Sequence, residues 1–242
     1  MAKIRKSTVV LCAGLAALLG YHLIIRPWSF RWGAAQKEVH QAFPGDELVP
    51  NPMRQTTRSI SINAPAAAIW PWLVQMGFGR GSWYTYEFLE NVLRCLGEYG
   101  LLNPGYYQRY KSQWKPNTDR VLPEYQNLEV GDIIADGPDA EAYFNVTHLE
   151  PKKCLVLYSE RHIITGIPPQ LDNPNPGPYT VFSWRFYLHE VSEHTTRFII
   201  RVRANYSPRW MLAPLVYLVA EPADFIYNYG TLHGIKQRVE AN

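Results

Sequence analysis

Apolar and polar residues alternate with a period of two in several short stretches of the chain, which is the pattern of half-buried β-strands. The alternation is clearest in Val181–His189, where one set of positions is apolar and the other set is Ser183, Arg185, Tyr187 and His189. We therefore expect one face of this strand to lie in the core and the opposite face to be in contact with water. The pattern predicts a mainly antiparallel sheet with strands at Thr57–Asn63, Asp132–Ala135, Ala142–Glu150, Leu155–Glu160, Thr180–His189 and Thr196–Ala204.

Helical signals flank this run of strands. Pro65–Met76 is predicted to be a helix, and a second helix is predicted to begin near Thr85. The chain closes on a long helical segment, Trp210–Val239, whose expected buried stripe is Leu215, Val216, Val219, Phe225, Ile226, Tyr229 and Leu232. The first part of this segment, Met211–Ala220, is too short to span a bilayer, so we interpret it as a core helix and not as a second contact with the membrane.

Three other segments lack a sustained period. Phe30–Pro50 is predicted to be a connector that contains a short helix around Ala34–Phe43. Gly97–Asn117 carries several aromatic residues without periodicity, so we expect an irregular loop. Thr165–Pro178 contains five prolines, which prevent both strand pairing and helix formation, and it is predicted to be a stiff loop and a candidate lid.

The N-terminus carries a run of about 19 uncharged and mostly apolar residues, Ser7–Ile25. As a helix this run would be roughly 28 Å long, which is nearly the thickness of the hydrocarbon core of a bilayer. Basic residues precede it, and a basic and aromatic flank follows it, as is typical of the two membrane interfaces. A cleaved signal peptide is the alternative, but its apolar core is shorter and ends in small residues, whereas this run ends in Leu23, Ile24 and Ile25. We predict a single-pass membrane anchor, and the similar numbers of basic residues on its two sides leave its orientation open.

The remaining composition is that of one globular domain. The chain has 242 residues, of which 47% are hydrophobic and 19% charged, and its net charge of +3 is too small and too dispersed to indicate nucleic-acid binding. The three cysteines and seven histidines form no metal-ligand spacing, so we predict no metal and no cofactor. The sequence also contains no phosphate-binding loop and no nucleophile elbow.

The order of one strand, two short helices, a run of antiparallel strands and one long helix is the order of a helix-grip fold. The first half of the chain also carries specific motifs: Arg31-Trp32-Gly33-Ala34, Pro44-Gly45-Asp46, Ala64-Pro65 with Ile69-Trp70-Pro71-Trp72-Leu73-Val74-Gln75-Met76-Gly77, Arg80-Gly81-Ser82-Trp83-Tyr84-Thr85-Tyr86-Glu87 and Leu89-Glu90-Asn91. From about Arg31 to the C-terminus, the sequence resembles a bacterial, membrane-anchored branch of the SRPBCC superfamily, whose members are also called START-like or polyketide cyclase-like.

This resemblance implies an α+β helix-grip fold, in which a curved antiparallel sheet surrounds a long C-terminal helix and can leave a cavity between them. We expect residues 1–29 to be the membrane anchor, residues 30–53 the connector and residues 54–242 the helix-grip domain. Because this fold serves many functions, the resemblance implies a fold and a cavity but not an activity.

The resemblance places the segment Gly77–Asn91 at one mouth of the cavity. Ligand pockets combine apolar walls with a few convergent polar groups. The candidate ligand-binding residues are Arg80, Trp83, Tyr84, Tyr86, Glu87 and Asn91 from this segment, together with Phe182 and Trp184 from the sheet. In the alternative interpretation, Arg80 pairs with Glu87 or with a nearby carbonyl oxygen, and the aromatic residues close the end of the core. The sequence identifies no catalytic residue.

Two functions of different classes follow from the expected cavity. The first is a membrane-tethered binding or carrier protein for an apolar small molecule such as a lipid, an isoprenoid or a polyketide. The second is a cyclase- or hydrolase-like enzyme that acts on a similar hydrophobic substrate. The expected partners are the apolar ligand and membrane lipid, without nucleic acid or metal. Purely apolar cavity walls would favour the carrier, whereas a buried carboxylate directed into the cavity would favour the enzyme.

Overall fold

The computed structural model describes residues 18–87, 103–162 and 177–241, together with residues 13, 14, 16, 169 and 173. Within these ranges, the centre of the molecule is a six-stranded antiparallel sheet in the order β1-β6-β5-β4-β3-β2. The strands are β1 (Arg54–Ile62), β2 (Ile133–Ala135), β3 (Tyr143–Glu150), β4 (Cys154–His162), β5 (Tyr179–Ser192) and β6 (Thr195–Ser207). The predicted strands are confirmed, and most of them are a few residues longer than the alternation indicated.

Along the part of the chain that the structure describes, two helices precede β1, two lie between β1 and β2, and two follow β6. They are α1 (Arg26–Phe30), α2 (Gln36–His40), α3 (Ala66–Val74), α4 (Pro104–Gln113), α5 (Arg209–Leu215) and α6 (Glu221–Glu240). Two π-helical turns extend these helices. Tyr21–Ile25 leads into α1, and Val216–Ala220 joins α5 to α6. The long helical segment predicted for the C-terminus is therefore confirmed as a succession of helical pieces.

The core forms between one face of the sheet and the helices α3 and α6. On β5, the predicted apolar positions Trp184, Phe186 and Leu188 all belong to this core and are at most 4% exposed. Phe198 and Val202 of the neighbouring strand β6 lie beside them in the same cluster. The alternation along the sequence thus identified the core face, since a shift of one residue would have placed all of these side chains outside.

Helix α6 lies close against the segment that follows α3. Gly234 makes this approach possible, because a Cβ atom at that position would lie 2.1 Å from the carbonyl oxygen of Tyr84. The Thr231 hydroxyl donates a hydrogen bond of 2.9 Å to the carbonyl oxygen of Trp83. An antiparallel sheet packed around a long C-terminal helix in this way is a helix-grip fold.

The outer face of β5 and β6 differs from the prediction that it contacts water. Arg185 and Arg201 are each 2% exposed, because the connector packs over them. Asp46 lies 2.6 Å from Nη2 of Arg185 and 2.9 Å from Nη1 of Arg201. The ring of Phe43 stacks below the same two guanidinium groups, at 4.9 and 4.5 Å. The connector is therefore a packed part of the domain, which the alternation within one strand could not reveal.

Part of the predicted irregular loop Gly97–Asn117 is helical. Helix α4 begins after Asn103, whose side chain accepts a hydrogen bond of 3.1 Å from the backbone N–H of Tyr106, and Pro104 occupies the first turn. Because only Tyr107 of α4 is buried, this helix has no apolar stripe that periodicity could detect.

Several predictions fall on residues that the structure does not describe. Residues 88–102 lie outside the described residues, and they include Asn91 and nearly all of the helix predicted to begin near Thr85. Most of the proline-rich loop Thr165–Pro178 also lies outside them. The proposed role of that loop as a lid stays a prediction.

The segment predicted to be a core helix, Met211–Ala220, is largely exposed. Trp210 is 80% exposed, Leu215 56% and Leu218 66%, and Leu212 is the buried residue of α5. The interpretation as a core helix is therefore wrong for this part of the chain. An apolar sequence indicates that a helix is covered by an apolar medium, but it does not show whether that medium is the protein core, lipid or another protein.

The predicted membrane anchor is described only in part. Residues 18–25 are helical and run directly into α1, and their exposed side chains include Leu19, Leu23 and Ile24. Within the described part of the chain, no helix has both the length and the hydropathy needed to cross a membrane. The structure describes only three residues of the run before residue 18, namely 13, 14 and 16. The anchor therefore stays a prediction.

Candidate functional site

A cavity of about 500 Å³ lies between the sheet and the first half of α6. Strands β3 to β6 form one wall, and the helical segment that begins at Val216 forms the other. Its apolar and aromatic lining residues are Ala142, Tyr143, Phe144, Val181, Phe182, Trp184, Ala204, Tyr206, Val216, Ala220, Ala223 and Tyr227. This volume falls in the range of small-molecule sites in proteins, so the cavity is large enough to hold an apolar ligand.

An ion-pair network on α6 forms the first polar part of the cavity wall. Asp224 lies 2.5 Å from Nη2 of Arg54 and 2.8 Å from Nη1 of Arg58. Asn228, one turn later, donates a hydrogen bond of 2.9 Å to the Asp224 carboxylate and accepts one of 2.9 Å from Nε1 of Trp184. Burial raises the pKa of the Asp224 carboxyl, but the charges of Arg54 and Arg58 outweigh burial and hold that pKa below its usual value.

Arg54 contributes a hydrogen-bond donor that has no acceptor. Its side chain is 7% exposed and lines the cavity, and its Nε atom has no hydrogen-bond partner among the described residues. A buried guanidinium N–H without an acceptor is costly.

Asp136 is the second polar part of the wall and directly follows β2. Its backbone N–H donates a hydrogen bond of 2.7 Å to the carbonyl oxygen of Ala142, which holds the residue at the edge of the cavity. Burial raises the pKa of the Asp136 carboxyl to about 7, although the charge of Arg161 and a hydrogen bond with Trp83 act in the opposite direction. Asp136 is nevertheless exposed by its accessible surface, because the cavity that it lines is open to solvent. Protein atoms therefore crowd the carboxyl without excluding water from it.

A carboxyl group with a pKa near neutrality can carry or release a proton at physiological pH. The protonated form of Asp136 can donate a hydrogen bond to a ligand oxygen, and the ionised form can accept a proton. Arg161, whose guanidinium lies 5.7 Å from the ring of Tyr143, adds positive charge to the same wall. The cavity is therefore apolar over most of its surface and charged at two places, with the uncharged polar side chains of Ser159, Thr180 and Asn205 also in its lining.

Two of the predicted site residues, Phe182 and Trp184, line the cavity. Trp83 lies behind this wall, with its ring stacked 5.0 Å from that of Trp184 and its side chain hydrogen-bonded to Asp136. Tyr84 is buried on the other side of the same segment, where its hydroxyl accepts a hydrogen bond of 2.6 Å from Nε2 of Gln75. The structure thus brings three of the predicted residues to the cavity or its backing layer.

The other predicted residues lie away from the cavity lining. Arg80 donates a hydrogen bond of 2.8 Å from Nη2 to the carbonyl oxygen of Val74, and its guanidinium lies 4.5 Å from the ring of Tyr125. This contact is the structural alternative in which Arg80 pairs with a nearby carbonyl oxygen. Tyr86 is 39% exposed and stacks on Tyr229 of α6. Glu87 is also exposed, and Asn91 lies outside the described residues.

The charged residues of the cavity, Arg54, Asp136, Arg161 and Asp224, were not predicted. One signal was present in β1, where the charged residue Arg58 stands on the same face as Ile60 and Ile62. A charge among core positions requires a buried partner, and that partner is Asp224. Asp136 carried no comparable signal, because it stands alone at the end of a short strand.

Comparison with known proteins gives likeness of structure but not of sequence. No family model and no curated protein matches the chain. A protein from Mesorhizobium loti has 13% identity and a TM-score of 0.37, and the match covers 78% of this chain and 98% of that chain. A hypothetical protein from Helicobacter pylori has 9% identity and a TM-score of 0.39, with 80% and 92% covered. A polyketide cyclase-like protein from Corynebacterium glutamicum has 13% identity and a TM-score of 0.30, with 79% and 90% covered.

At these identities and TM-scores, the three solved structures add nothing on activity. The helix-grip fold that the resemblance implies is confirmed by the strand order and by the position of α6 over the cavity. Because one fold serves many functions, the residues of the cavity and not the fold determine what the protein does.

Proposed function

We propose that the protein is a membrane-tethered binding or carrier protein that encloses an apolar small molecule, such as a lipid, an isoprenoid or a polyketide-like compound. The observation that carries this proposal is the cavity of about 500 Å³ between the sheet and α6, which is lined mainly by apolar side chains. Enclosing apolar surface contributes about 25 cal/mol per Å². This contribution is large enough for micromolar affinity, roughly −8 kcal/mol, after the costs of association.

The two polar parts of the wall suit a ligand that has a polar end. Arg54 brings a positive charge to the wall, and Asp136 offers a carboxyl that can donate or accept a hydrogen bond. A few polar groups in an apolar pocket orient a ligand and select it. A chain-like molecule with one oxygen-containing end therefore fits the proposal better than a pure hydrocarbon.

The membrane tether in this proposal is the run Ser7–Ile25. Its support is its length, its lack of charge and its basic and aromatic flanks. A tether would keep the cavity close to the membrane that contains apolar ligands.

Filling the cavity tests the binding proposal. A shortened chain that begins at Arg26, and so keeps α1 against α6, is titrated with a fluorescent fatty acid, and the affinity of Ala223→Trp is compared with that of the unchanged sequence. Ala223 lines the cavity on α6, so the indole ring occupies the space of the ligand, and we expect binding at least tenfold weaker, about 1.4 kcal/mol. Fluorescence of Trp83 and Trp184 should change on binding in the unchanged chain.

The matched control is Ala68→Trp, which places the same ring on an exposed position of α3 and should leave the affinity unchanged. Circular dichroism establishes that both variants are folded. Equal affinity in all three chains would show that the probe binds elsewhere, and absence of binding to the unchanged chain would overturn the carrier proposal.

One observation favours a second function, that of an enzyme acting on a similar ligand. Asp136 is a carboxyl group in the wall of the cavity, with a pKa of about 7, and such groups are suited to general acid or base catalysis. Native mass spectrometry of the purified protein identifies the ligand that accompanies it. Conversion of that ligand by the unchanged chain, together with its intact retention by Asp136→Asn, would support the enzyme over the carrier.

A further inference from the structure

An exposed apolar surface lies on the helices that flank the cavity. On the C-terminal side it consists of Trp210, Met211, Leu215, Leu218 and Val219, and on the N-terminal side of Leu18, Leu19, Leu23, Ile24, Ile25 and Trp28. We call these residues together the apolar helical surface. Isolated exposed apolar residues are normal, but a group of this size marks a contact with another protein or with a membrane.

The two sides of this surface belong together because their helices touch along their length. The rings of Tyr21 and Tyr217 lie 6.0 Å apart, and those of Trp28 and Phe225 lie 5.3 Å apart. Between these contacts, Nε of Arg26 lies 2.7 Å from the Glu221 carboxylate. The exposed side chains on both helices therefore form one region of the molecule.

The occupant that fits this surface is a lipid bilayer. Residues 210–220 contain no charged side chain, and the N-terminal side continues into the uncharged run Ser7–Ile25. Trp28 and Trp210 stand on the surface, and tryptophan is enriched at the boundary between headgroups and acyl chains. A second copy of the chain fits this surface less well, because it would have to bind beside the apolar run Ser7–Ile25, which is predicted to lie in the membrane.

The same helical segment also reaches the cavity. Val216 and Ala220 line the cavity, whereas Leu215, Leu218 and Val219 are exposed on the apolar helical surface. Arg209–Ala220 comprises α5 and one π-helical turn, so it is about 18 Å long and too short to span a bilayer, but it can lie in the plane of the interface.

We propose that Arg209–Ala220 lies in the membrane interface and forms a lateral entrance, through which the cavity takes an apolar ligand directly from the acyl-chain region of the bilayer. The entrance rests on the proposed binding function, whereas the membrane contact does not. The ligand then never crosses bulk water on its way from the bilayer to the cavity, because the segment that touches lipid is also the wall of the cavity.

Photolabelling from within the bilayer tests the contact. The full chain is reconstituted into vesicles of phosphatidylcholine and phosphatidylglycerol that include a phosphatidylcholine with a diazirine on its acyl chain. After irradiation, adducts are mapped by mass spectrometry of the peptides. We expect adducts within residues 210–219.

The matched control within the same chain is Val191, which is 61% exposed, compared with 66% for Leu218. It lies in the β5–β6 hairpin, at the opposite end of the sheet from Arg209. Labelling of residues 210–219 no higher than that around Val191 would overturn the membrane contact. Absence of adducts together with crosslinks between two copies through Leu218 would assign the surface to a second copy instead.

Transfer measurements test the entrance separately. Uptake of a fluorescent fatty acid from the same vesicles is compared between Leu218→Glu and Val191→Glu, each in the full chain. We expect at least tenfold slower uptake for Leu218→Glu and unchanged uptake for Val191→Glu, because only the first places a charge in the lipid contact.

The affinity of both variants for the same probe in detergent solution should be unchanged. Equal uptake by both variants would overturn the entrance, while the binding proposal would stand. Absence of probe binding in detergent by the unchanged chain would overturn the binding proposal, and the labelling result would still decide the membrane contact.

Discussion

Asp136 and Asp224 are carboxyl groups on the wall of the same cavity, yet their surroundings shift their pKa values in opposite directions. Asp224 lies between Arg54 and Arg58, whose charges lower its pKa despite burial. For Asp136, which is exposed but crowded by protein atoms, partial loss of hydration dominates and raises its pKa to about 7. At neutral pH, Asp224 is ionised and completes a buried network, whereas Asp136 is close to its titration midpoint.

Asp136→Asn should change the pH dependence of stability. Because the pKa of Asp136 is raised from 3.8 to about 7 on folding, its protonated form stabilises the folded state fully below about pH 4. This contribution is lost as the pH rises through about 7. The free energy of unfolding of Asp136→Asn, relative to the unchanged chain, should therefore increase between pH 5 and pH 8.

Urea unfolding of the shortened chain at both pH values measures this difference. Asp119→Asn is the control, since Asp119 is 90% exposed in its pair with Arg238. A relative stability of Asp136→Asn that is the same at pH 5 and pH 8 would show that the carboxyl has an ordinary pKa.

At the scale of elements, the connector acts as a clamp on the outer face of the sheet. Asp46 holds Arg185 of β5 and Arg201 of β6 by ion pairs of 2.6 and 2.9 Å. Burial opposes ionisation of Asp46, but the two guanidinium groups outweigh burial and keep the pKa of its carboxyl below the usual value. The residues before β1 thus belong to the folded unit.

Asp46→Asn should destabilise the shortened chain strongly. The substitution leaves two buried guanidinium groups without their counter-charge, and breaking a buried pair in this way costs about 3–5 kcal/mol. For comparison, the exposed pair of Asp119 should cost about 1 kcal/mol or less in Asp119→Asn. Unfolding free energies that fall by similar amounts in both variants would show that the clamp contributes little.

The elements were predictable to different degrees, for physical reasons. The strands were predictable because alternate residues of a strand lie on opposite faces of the sheet, so the apolar positions of the core face recur with a period of two, as in β5. Helix α4 was missed because one buried residue, Tyr107, leaves no periodic stripe, although Asn103-Pro104 carried the signature of a helix start. The exposure of α5 was missed because apolar periodicity is the same toward protein and toward lipid.

At the scale of the whole molecule, the cavity could be expected from the order of the elements, but its chemistry could not. Phe182 and Trp184 were found because they lie on a patterned strand. Asp136, Arg54 and Asp224 come from distant parts of the chain and meet only in the folded protein. Single polar residues that are far apart in the sequence form no local pattern, so only the structure could show that they line one cavity.

The full chain should partition into membranes, whereas the shortened chain beginning at Arg26 should be folded, and alkaline carbonate should release it from membranes. About 19 apolar residues contribute more burial in lipid than a peripheral contact can. Fractionation of cells that express each chain, with intact masses measured, checks this expectation. A full chain that stays in the soluble fraction at its unprocessed mass would contradict the anchor.

Four of the side chains that line the cavity are alanines, namely Ala142, Ala204, Ala220 and Ala223. They come from the loop before β3, from β6 and from the helical wall, so they bound the space from different sides. Replacing them one at a time by valine, leucine or phenylalanine would shorten the space in graded steps without introducing a polar group. The length of the cavity can thus be adjusted by substitution at these four positions. A small panel of such variants could serve as sensors that rank amphiphiles by chain length.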